Sequence, residues 1–113
     1  MSDSLFTKII QREIDANIVY EDDRVIAFHD IAPQAPVHLL IVPKKQIPML
    51  DDLTEADEGL MGHLVVVASK VARDLHLDHG YRLVLNCNHQ GGQTVFHIHL
   101  HLLGGRQMQW PPG

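Results

Sequence analysis

Cysteine is nearly absent from this chain of 113 residues, in which Cys87 stands alone. A single cysteine cannot form an internal disulfide, and the paired cysteine spacings that are typical of zinc sites are missing with it. Because this composition is consistent with a reducing compartment, we expect a cytoplasmic protein.

Long apolar runs are missing as well. No stretch approaches the roughly 18 consecutive apolar residues that indicate a transmembrane helix. The N-terminal segment carries charges throughout and lacks the apolar stretch of a signal peptide. We therefore expect neither a membrane span nor a secretory signal.

Positive charge is scarce. Lysine and arginine together number 9 against 14 aspartates and glutamates, which gives a formal net charge of −5 with histidine neutral. The longest basic run is the pair Lys44–Lys45. Because tight binding to a nucleic-acid backbone requires a basic footprint, we expect no nucleic-acid partner. An anionic small ligand would have to be attracted locally, by backbone N–H groups and imidazoles.

The chain does contain enough apolar residues for a core, at 45% of the sequence. Its length fits a single domain, 1–113, in which 104–113 form a C-terminal tail. Since so short a chain buries a modest fraction of its surface, a homo-oligomer, in which association extends the core, is also expected.

Hydrophobic spacing predicts a short N-terminal helix at 5–10, capped by Ser4. A long helix follows a capping signature formed by Thr54 and Asp57, and it ends at 78–80. Strands are predicted in a hairpin over 19–28, at 38–42, at 81–88 and at 95–103. The fold class is therefore α+β, with a mostly antiparallel sheet packed on one main helix.

The central feature is the segment 97–103, in which His97, His99 and His101 alternate with apolar residues. Side chains on a strand alternate between its two faces, so the three imidazoles are predicted to share one face and to line one groove. The apolar residues between them would face the core.

Three interpretations of this histidine row compete. The first is a set of solvated side chains, and the second is a Zn²⁺ site, since three imidazoles can bind this ion. The third is covalent catalysis on phosphorus, with one imidazole as nucleophile and its neighbours as orienting groups and proton donors. Strand spacing makes the three rings converge poorly on one ion, and no nearby carboxylate is evident to orient them. The sequence favours metal-free catalysis without a cofactor, and zinc stays as the alternative.

A glycine loop at 88–94 strengthens the phosphorus interpretation. Glycines let backbone N–H groups approach a phosphate closely, and Gln93 and Thr94 add side-chain donors. A Gly-Gly pair alone is more typical of a hairpin turn. Beside the histidine row, however, it predicts an anion pocket. By strand parity Asn86 could face the same groove, whereas His38 taken alone is more typical of a hydrogen-bonded core histidine.

These residues resemble the histidine triad family, and within it the histidine triad nucleotide-binding proteins that act as purine nucleoside phosphoramidases. The resemblance covers essentially the whole chain. Besides the triad at 97–103 it includes the segments 6–10, 27–31, 33–38, 91–93 and 104–113. It implies a hydrolase that releases AMP and an amine through a nucleotidyl-histidine intermediate.

The resemblance also implies roles for individual residues. His99 would be the nucleophile, His97 would orient the groove, His38 would support the nucleophile's tautomer, and His101 and Asn86 would contact the nucleotide. Asp30 would accept the ribose hydroxyls. The base pocket would be formed by Ile31, Phe6, Ile9 and Phe28. The phosphate site would be formed by Gly92, Gln93, Thr94 and the adjoining Val95.

The resemblance further implies a homodimer whose sheet continues across the interface, with Trp110 in the tail reaching toward the partner's site. The sequence departs from the family's usual pattern at Thr94, where serine is frequent, and at Phe96, where tyrosine is frequent. The hydroxyl of Thr94 still allows a hydrogen bond to the leaving group. A dinucleoside polyphosphate hydrolase and a nucleotide-binding interaction module with incidental turnover stand as alternatives.

Overall fold

The structure is a computed structural model that describes residues 4–113. Residues 1–3 of the predicted domain lie outside the described residues. The first element is the helix α1, Leu5–Ile10. Ser4 caps it as predicted, because its Oγ accepts the backbone N–H of Thr7 at 3.1 Å.

The long helix α2 spans Glu58–Asp74, so it begins later and ends earlier than predicted. The predicted capping pair lies instead on a preceding 3-10 turn, where the Asp57 carboxylate accepts the N–H of Thr54 at 3.0 Å. At the other end, His76 adopts a left-handed φ of 59°, which the helix cannot continue through.

Five strands form one sheet: β1 (Ile18–Glu21), β2 (Val25–His29), β3 (Val37–Pro43), β4 (Tyr81–Val84) and β5 (Leu100–Gly104). Their order is β1-β2-β3-β5-β4, and every neighbouring pair is antiparallel. This confirms the predicted α+β class with a mostly antiparallel sheet and one main helix.

Strand β5 is shorter than predicted, because 95–99 do not join the sheet. The N–H of Ile98 donates at 2.8 Å to the carbonyl of Ile47, beyond the end of β3. The ladder with β3 begins only where Leu100 faces Ile41. His97 and His99 therefore lie before the strand, and His101 alone of the triad lies on it.

The sheet has two differently covered faces. Helix α2 packs on one face, over a core that includes Leu39, Ile41, Leu100 and Leu102. Helix α1 covers part of the other face with Phe6 and Ile9, over Ile26, Phe28, Leu40 and Val42. The β5–β4 side of this second face is less covered, and His101 on it is only partly buried.

His63 ties α2 to the hairpin of β1 and β2. The Nε2 of His63 lies 2.6 Å from the Asp22 carboxylate, which also accepts the Tyr20 hydroxyl at 2.9 Å. Within the described part of the chain, no helix has the length and apolar character needed to cross a membrane.

Candidate active site

His97 is fully buried and does not line a groove, so the prediction of three imidazoles on one open face is wrong for this residue. Its Nε2 donates to the Pro43 carbonyl at 2.7 Å, and its Nδ1 lies 2.9 Å from the Ser4 Oγ. Since a carbonyl only accepts, the proton is on Nε2 and the Ser4 hydroxyl donates to Nδ1. Burial lowers the pKa of His97 below its usual 6.5. The ring thus joins the cap of α1 to the end of β3.

His99 has its tautomer fixed by the chain itself. Its Nδ1 donates to the backbone carbonyl of His97 at 2.8 Å, so the proton is on Nδ1 and Nε2 keeps its lone pair. Within residues 4–113, no side chain or backbone group bonds to that Nε2. The Phe6 ring packs edge-on against the imidazole, with centroids 4.8 Å apart. Burial lowers the pKa of His99, which keeps the lone pair available at neutral pH.

His101 is set as a hydrogen-bond donor by a chain of two contacts. The N–H of Gln34 donates to Nδ1 of His38 at 3.0 Å, so the neutral His38 carries its proton on Nε2. That Nε2 lies 2.9 Å from Nδ1 of His101, which accepts. The remaining nitrogen, Nε2 of His101, therefore carries a proton. Burial, with smaller contributions from His99 and His38, lowers the pKa of His101 to about 4.

The role expected for His38 needs correction. His38 was expected to support the tautomer of the nucleophile, but its ring contacts His101 and the backbone of Gln34. The tautomer of His99 is set instead by the carbonyl of His97. The rings of His99 and His101 lie 4.9 Å apart between centroids. A lone pair and an N–H donor are thus presented by two neighbouring rings.

An apolar cavity of about 190 Å³ opens beside His99. We call it the base pocket, after the role that the family resemblance predicts for it. It is lined by the four residues predicted for the base, Phe6, Ile9, Phe28 and Ile31, and by Asp30, which was predicted to contact the ribose. The other lining residues besides His99 are Leu5, Ile14, Asp15, Ala16, His29 and Leu40. Ile31 at the rim of this cavity is 96% exposed. The Asp30 carboxylate lies at the same cavity, 3.5 Å from Nε2 of His38.

The additional lining residues were missed by sequence reasoning. Ile14 is apolar within an exposed and charged turn, which is a signal that could have been followed. His29 lies at the end of β2 next to Asp30, a position that could have placed it at the pocket. Leu5 and Leu40 carry no such signal, because apolar residues on a helix or strand are ordinarily core.

The glycine loop is arranged differently from the prediction. The side chain of Gln93 is buried and fully engaged, accepting from the N–H of Asn88 and donating to the carbonyls of Pro48 and Val95. The backbone N–H of Gln93 bonds to Asn88, and that of Gly92 bonds to His89. Phosphate binding through these groups, expected from the sequence, is therefore not supported by the structure.

Thr94 and Val95, the two residues after Gln93, have hydrogen-bond donors that no described residue engages. Among residues 4–113, no group bonds to the backbone N–H of Thr94 or of Val95, or to the Thr94 hydroxyl. Thr94 is exposed and Val95 is half-buried against the cluster around Phe6. Within the described residues, these three donors are therefore unengaged.

Gly91 is required by the close packing of this loop. A Cβ at this position would lie 2.9 Å from the backbone N of Cys87 and closer still to its carbonyl oxygen. We expect Gly91→Ala to lower the free energy of unfolding by about 1–3 kcal/mol, because backbone must move to admit the methyl group. Gly62→Ala is the control, since a Cβ there meets nothing within 4 Å and alanine favours an exposed helix position. Urea unfolding of both variants tests this, and equal stabilities would contradict it.

Asp30, His38 and His101 could hold a metal ion, since one ligand atom from each lies within 4.8 Å of the others. This set differs from the three-histidine site considered from the sequence. A metal ion would have to displace the proton of the hydrogen bond between Nε2 of His38 and Nδ1 of His101, which lie 2.9 Å apart. Without a metal ion, Nε2 of His38 already has a hydrogen-bond partner in His101, and the Asp30 carboxylate lies beside this pair.

Asn86 lines a second cavity, which shares no lining residue with the base pocket. This cavity, of about 250 Å³, is lined by both His38 and His101. The sequence placed Asn86 on a groove-facing position of a strand, whereas β4 ends at Val84 and Asn86 follows it. Trp110 belongs to neither cavity and is 82% exposed in the tail.

Comparison with known proteins fits this site and fold. The family model of the HIT domain matches residues 11–108. An uncharacterized HIT-like protein of Synechocystis sp. is 56% identical over 111 residues, covering 98% of this chain and 97% of its own. The protein defined by this fold and histidine site is thus a histidine triad protein. The chain belongs to the HIT domain family.

Solved structures agree over nearly the full length. A HIT family hydrolase from Legionella pneumophila is 54% identical, with a TM-score of 0.96 over 98% of this chain and 100% of that one. A histidine triad protein from Clostridium difficile is 42% identical, with a TM-score of 0.92 over 96% of each chain. A histidine triad nucleotide-binding protein from Candida albicans is 29% identical, with a TM-score of 0.82 over 96% of this chain and 83% of that one.

Proposed function

We propose that this protein is a hydrolase of purine nucleoside phosphoramidates and acyl-nucleotides, which releases AMP and an amine from the former. The observation that carries the proposal is the tautomer of His99. The His97 carbonyl holds the proton on Nδ1, which leaves an unshared pair on Nε2 at an apolar pocket. The HIT family hydrolases among the solved structures support hydrolysis as the class of reaction.

The base pocket fits a nucleoside. Its walls are mostly apolar side chains, many of them from α1 and β2, and of its two carboxylates, Asp15 and Asp30, we assign Asp30 to the two ribose hydroxyls. The Oδ1 of Asp30 accepts the N–H of Ala32 at 2.8 Å, which fixes the orientation of the carboxylate. Ile31 would cover the exposed face of the base and lose its own exposure on binding. An apolar lining discriminates weakly between adenine and guanine.

The reaction would proceed in two steps. Nε2 of His99 forms a bond to the α-phosphorus as the P–N bond breaks, and the electron pair of that bond goes to the leaving nitrogen, which takes up a proton from solvent. Water then attacks phosphorus, the bond to His99 breaks, and the water gives a proton back to solvent. The positive charge that the adduct places on His99 is stabilised by the hydrogen bond from Nδ1 to the His97 carbonyl.

Charge on the phosphoryl oxygens would be held by nearby donors. Nε2–H of His101 is one, and the backbone N–H groups of Thr94 and Val95 are others. The Thr94 hydroxyl is available to the leaving nitrogen. Donors aimed at developing charge are worth about 3–4 kcal/mol each in comparable enzyme sites.

The protein would act as a homodimer, with the sheet continuing across the interface. Strand β4 is at one edge of the sheet and presents an unpaired row of backbone groups. Val65 and Val66 on the outer side of α2 are exposed. Trp110, exposed in the tail, would then reach toward the partner's site. The nucleotide is the only further partner proposed.

Hydrolysis of an adenosine phosphoramidate, followed by release of the amine, tests the proposal. We expect steady release of AMP and amine, undiminished by a chelator, because no step requires a metal. If the chelator abolished activity and Zn²⁺ restored it, the metal interpretation would be favoured, with Asp30, His38 and His101 as the ligands. Faster turnover of diadenosine polyphosphate in a competition would favour the alternative hydrolase. No turnover of either substrate, with tight AMP binding, would favour the interaction module.

A further inference from the structure

One carboxylate of the base pocket has no role in the proposed reaction. Asp15 lines this cavity together with Asp30, and the proposed reaction uses Asp30 alone. Asp15 lies in the segment 11–17, which joins α1 to β1. The apolar walls discriminate weakly between two bases of similar shape, whereas an acceptor at the pocket distinguishes bases that present different donors to it.

We propose that Asp15 selects guanine over adenine, so that guanosine phosphoramidates are the preferred substrates and GMP is released faster than AMP. The inference rests on the proposed function, and it names the base. The Watson–Crick edge of guanine presents its N1–H and its 2-amino group side by side, and an ionised carboxylate accepts two such parallel N–H bonds. Adenine presents only its 6-amino group there, and its N1 is an acceptor that repels a carboxylate.

The placement of Asp15 relative to α1 favours this assignment. The N-terminal part of the helix lies at the histidines, where the rings of Phe6 and His99 have centroids 4.8 Å apart. The segment that contains Asp15 is attached to the other end, because the N–H of Ile14 donates at 3.4 Å to the carbonyl of Lys8 in the last turn. A helix of six residues is about 9 Å long. With phosphorus at His99, the base lies along α1, and its Watson–Crick edge, which is remote from the ribose, faces Asp15.

The segment is also attached to the sheet. The N–H of His29, the last residue of β2, donates to the carbonyl of Asn17 at 3.0 Å. The residues before β1 therefore run alongside those that follow β2, of which Asp30 and Ile31 line the pocket. Because Asp15 lies between one attachment to α1 and another to β2, its backbone is held at the pocket while its side chain stays exposed.

The Asp15 carboxylate is free to accept hydrogen bonds from a base. Within residues 4–113, no group forms a hydrogen bond or an ion pair with it. Arg12, which lies three residues earlier, is bound instead to the Glu21 carboxylate and to the carbonyl of Ile9 at 3.1 Å. Both oxygens of Asp15 thus keep their lone pairs for a ligand.

Three nucleotides that differ only in the base test the inference. GMP presents N1–H and the 2-amino group, IMP lacks the 2-amino group, and AMP presents the 6-amino group beside the N1 acceptor. In calorimetric titrations of the wild-type protein we expect Kd for GMP to be about tenfold lower than for AMP, with IMP between them. Tenfold is near the low end for hydrogen bonds to a charged group, as befits an exposed carboxylate. The guanosine and adenosine phosphoramidates of one amine should show the same ratio in kcat/KM.

Variants of Asp15 assign the preference to this residue. Asp15→Ala should bring the ratio close to one. Asp15→Asn should reverse it toward adenine, because a carboxamide can accept from the 6-amino group and donate to N1. Asp23→Asn is the matched control, since Asp23 is exposed in the turn at the opposite end of the β1–β2 hairpin. It removes the same charge and should keep the wild-type ratio, and a general loss of structure would weaken binding of all three nucleotides together.

The outcomes separate this inference from the proposed function. If the wild-type protein binds AMP as tightly as GMP, or if Asp15→Ala keeps the preference for GMP, the inference is wrong, and the proposed function stands as long as amine is released. A preference for AMP that Asp15→Ala abolishes would mean that the carboxylate binds the 6-amino group of adenine, and would overturn the guanine assignment. If GMP binds preferentially through Asp15 but neither phosphoramidate is hydrolysed, the role of Asp15 holds and the proposed hydrolysis is wrong.

Discussion

Replacing His99 by alanine is expected to lower kcat by about 10⁴-fold or more, because in the proposed mechanism this residue forms the covalent bond to phosphorus. Binding of AMP should change little, since the base pocket is formed mainly by residues of α1, β2 and the segment that follows β2. Single-turnover rates and calorimetric titration with AMP measure the two effects separately.

A histidine outside the site provides the control for this experiment. His79 is exposed in the turn that precedes β4, and His79→Ala should retain wild-type turnover and AMP binding. If His99→Ala kept an activity within about tenfold of wild type, the nucleophile would have to be another group, and the two-step mechanism would not hold.

Replacing His101 by alanine is expected to lower kcat by about 10²–10³-fold, because it removes the N–H donor that the proposed mechanism directs at the phosphoryl group. His101→Gln should recover part of this loss, since its side-chain amide also donates. The hydrogen bond from His38 acts through His101, so His38 is a positioning residue, and its removal should cost less than removal of His101. Equal activities of His101→Ala and His101→Gln would contradict the donor role.

The pH profile distinguishes this role from a purely structural one. Attack requires the neutral form of His99, and the tautomer that sets Nε2–H of His101 requires neutral rings in the His38–His101 pair. Burial lowers the pKa of His99, and it lowers that of His101 to about 4. Protonation therefore begins below the usual histidine value of 6.5, and kcat/KM should stay level as the pH falls through 6.5 and decline only at lower pH. In His101→Gln, the decline should follow the titration of His99 alone.

Much of the fold could be predicted because local signals and tertiary packing agree. Ser4 caps α1, the apolar face of α2 is buried, and the hairpin of β1 and β2 forms with the expected turn. The errors lie where tertiary contacts decide the backbone. Alternation of histidines and apolar residues predicted a strand from 95, but Ile98 bonds to Ile47 and β5 begins at Leu100.

The candidate site, like the fold, could be predicted only in part. The residue types that line the base pocket could be named from the family resemblance. The hydrogen bonds that distinguish the histidines could not, because they join distant parts of the chain. His97 bonds to Pro43, and His101 bonds to His38, partners fixed by strand register and loop position rather than by spacing in the sequence. Gln93 has a donor side chain suited to a phosphate, yet the loop uses it internally, which only the folded structure reveals.

The most direct test is to capture the covalent species. Turnover of an adenosine phosphoramidate would be stopped by rapid quenching without acid, and the protein would then be digested and analysed by mass spectrometry. We expect an adenylyl group on the imidazole ring of His99. The amount of this adduct should rise with the burst of amine release and fall as the substrate is consumed. An adduct on a different residue, or amine release at the full rate without any protein-bound nucleotide, would contradict the mechanism.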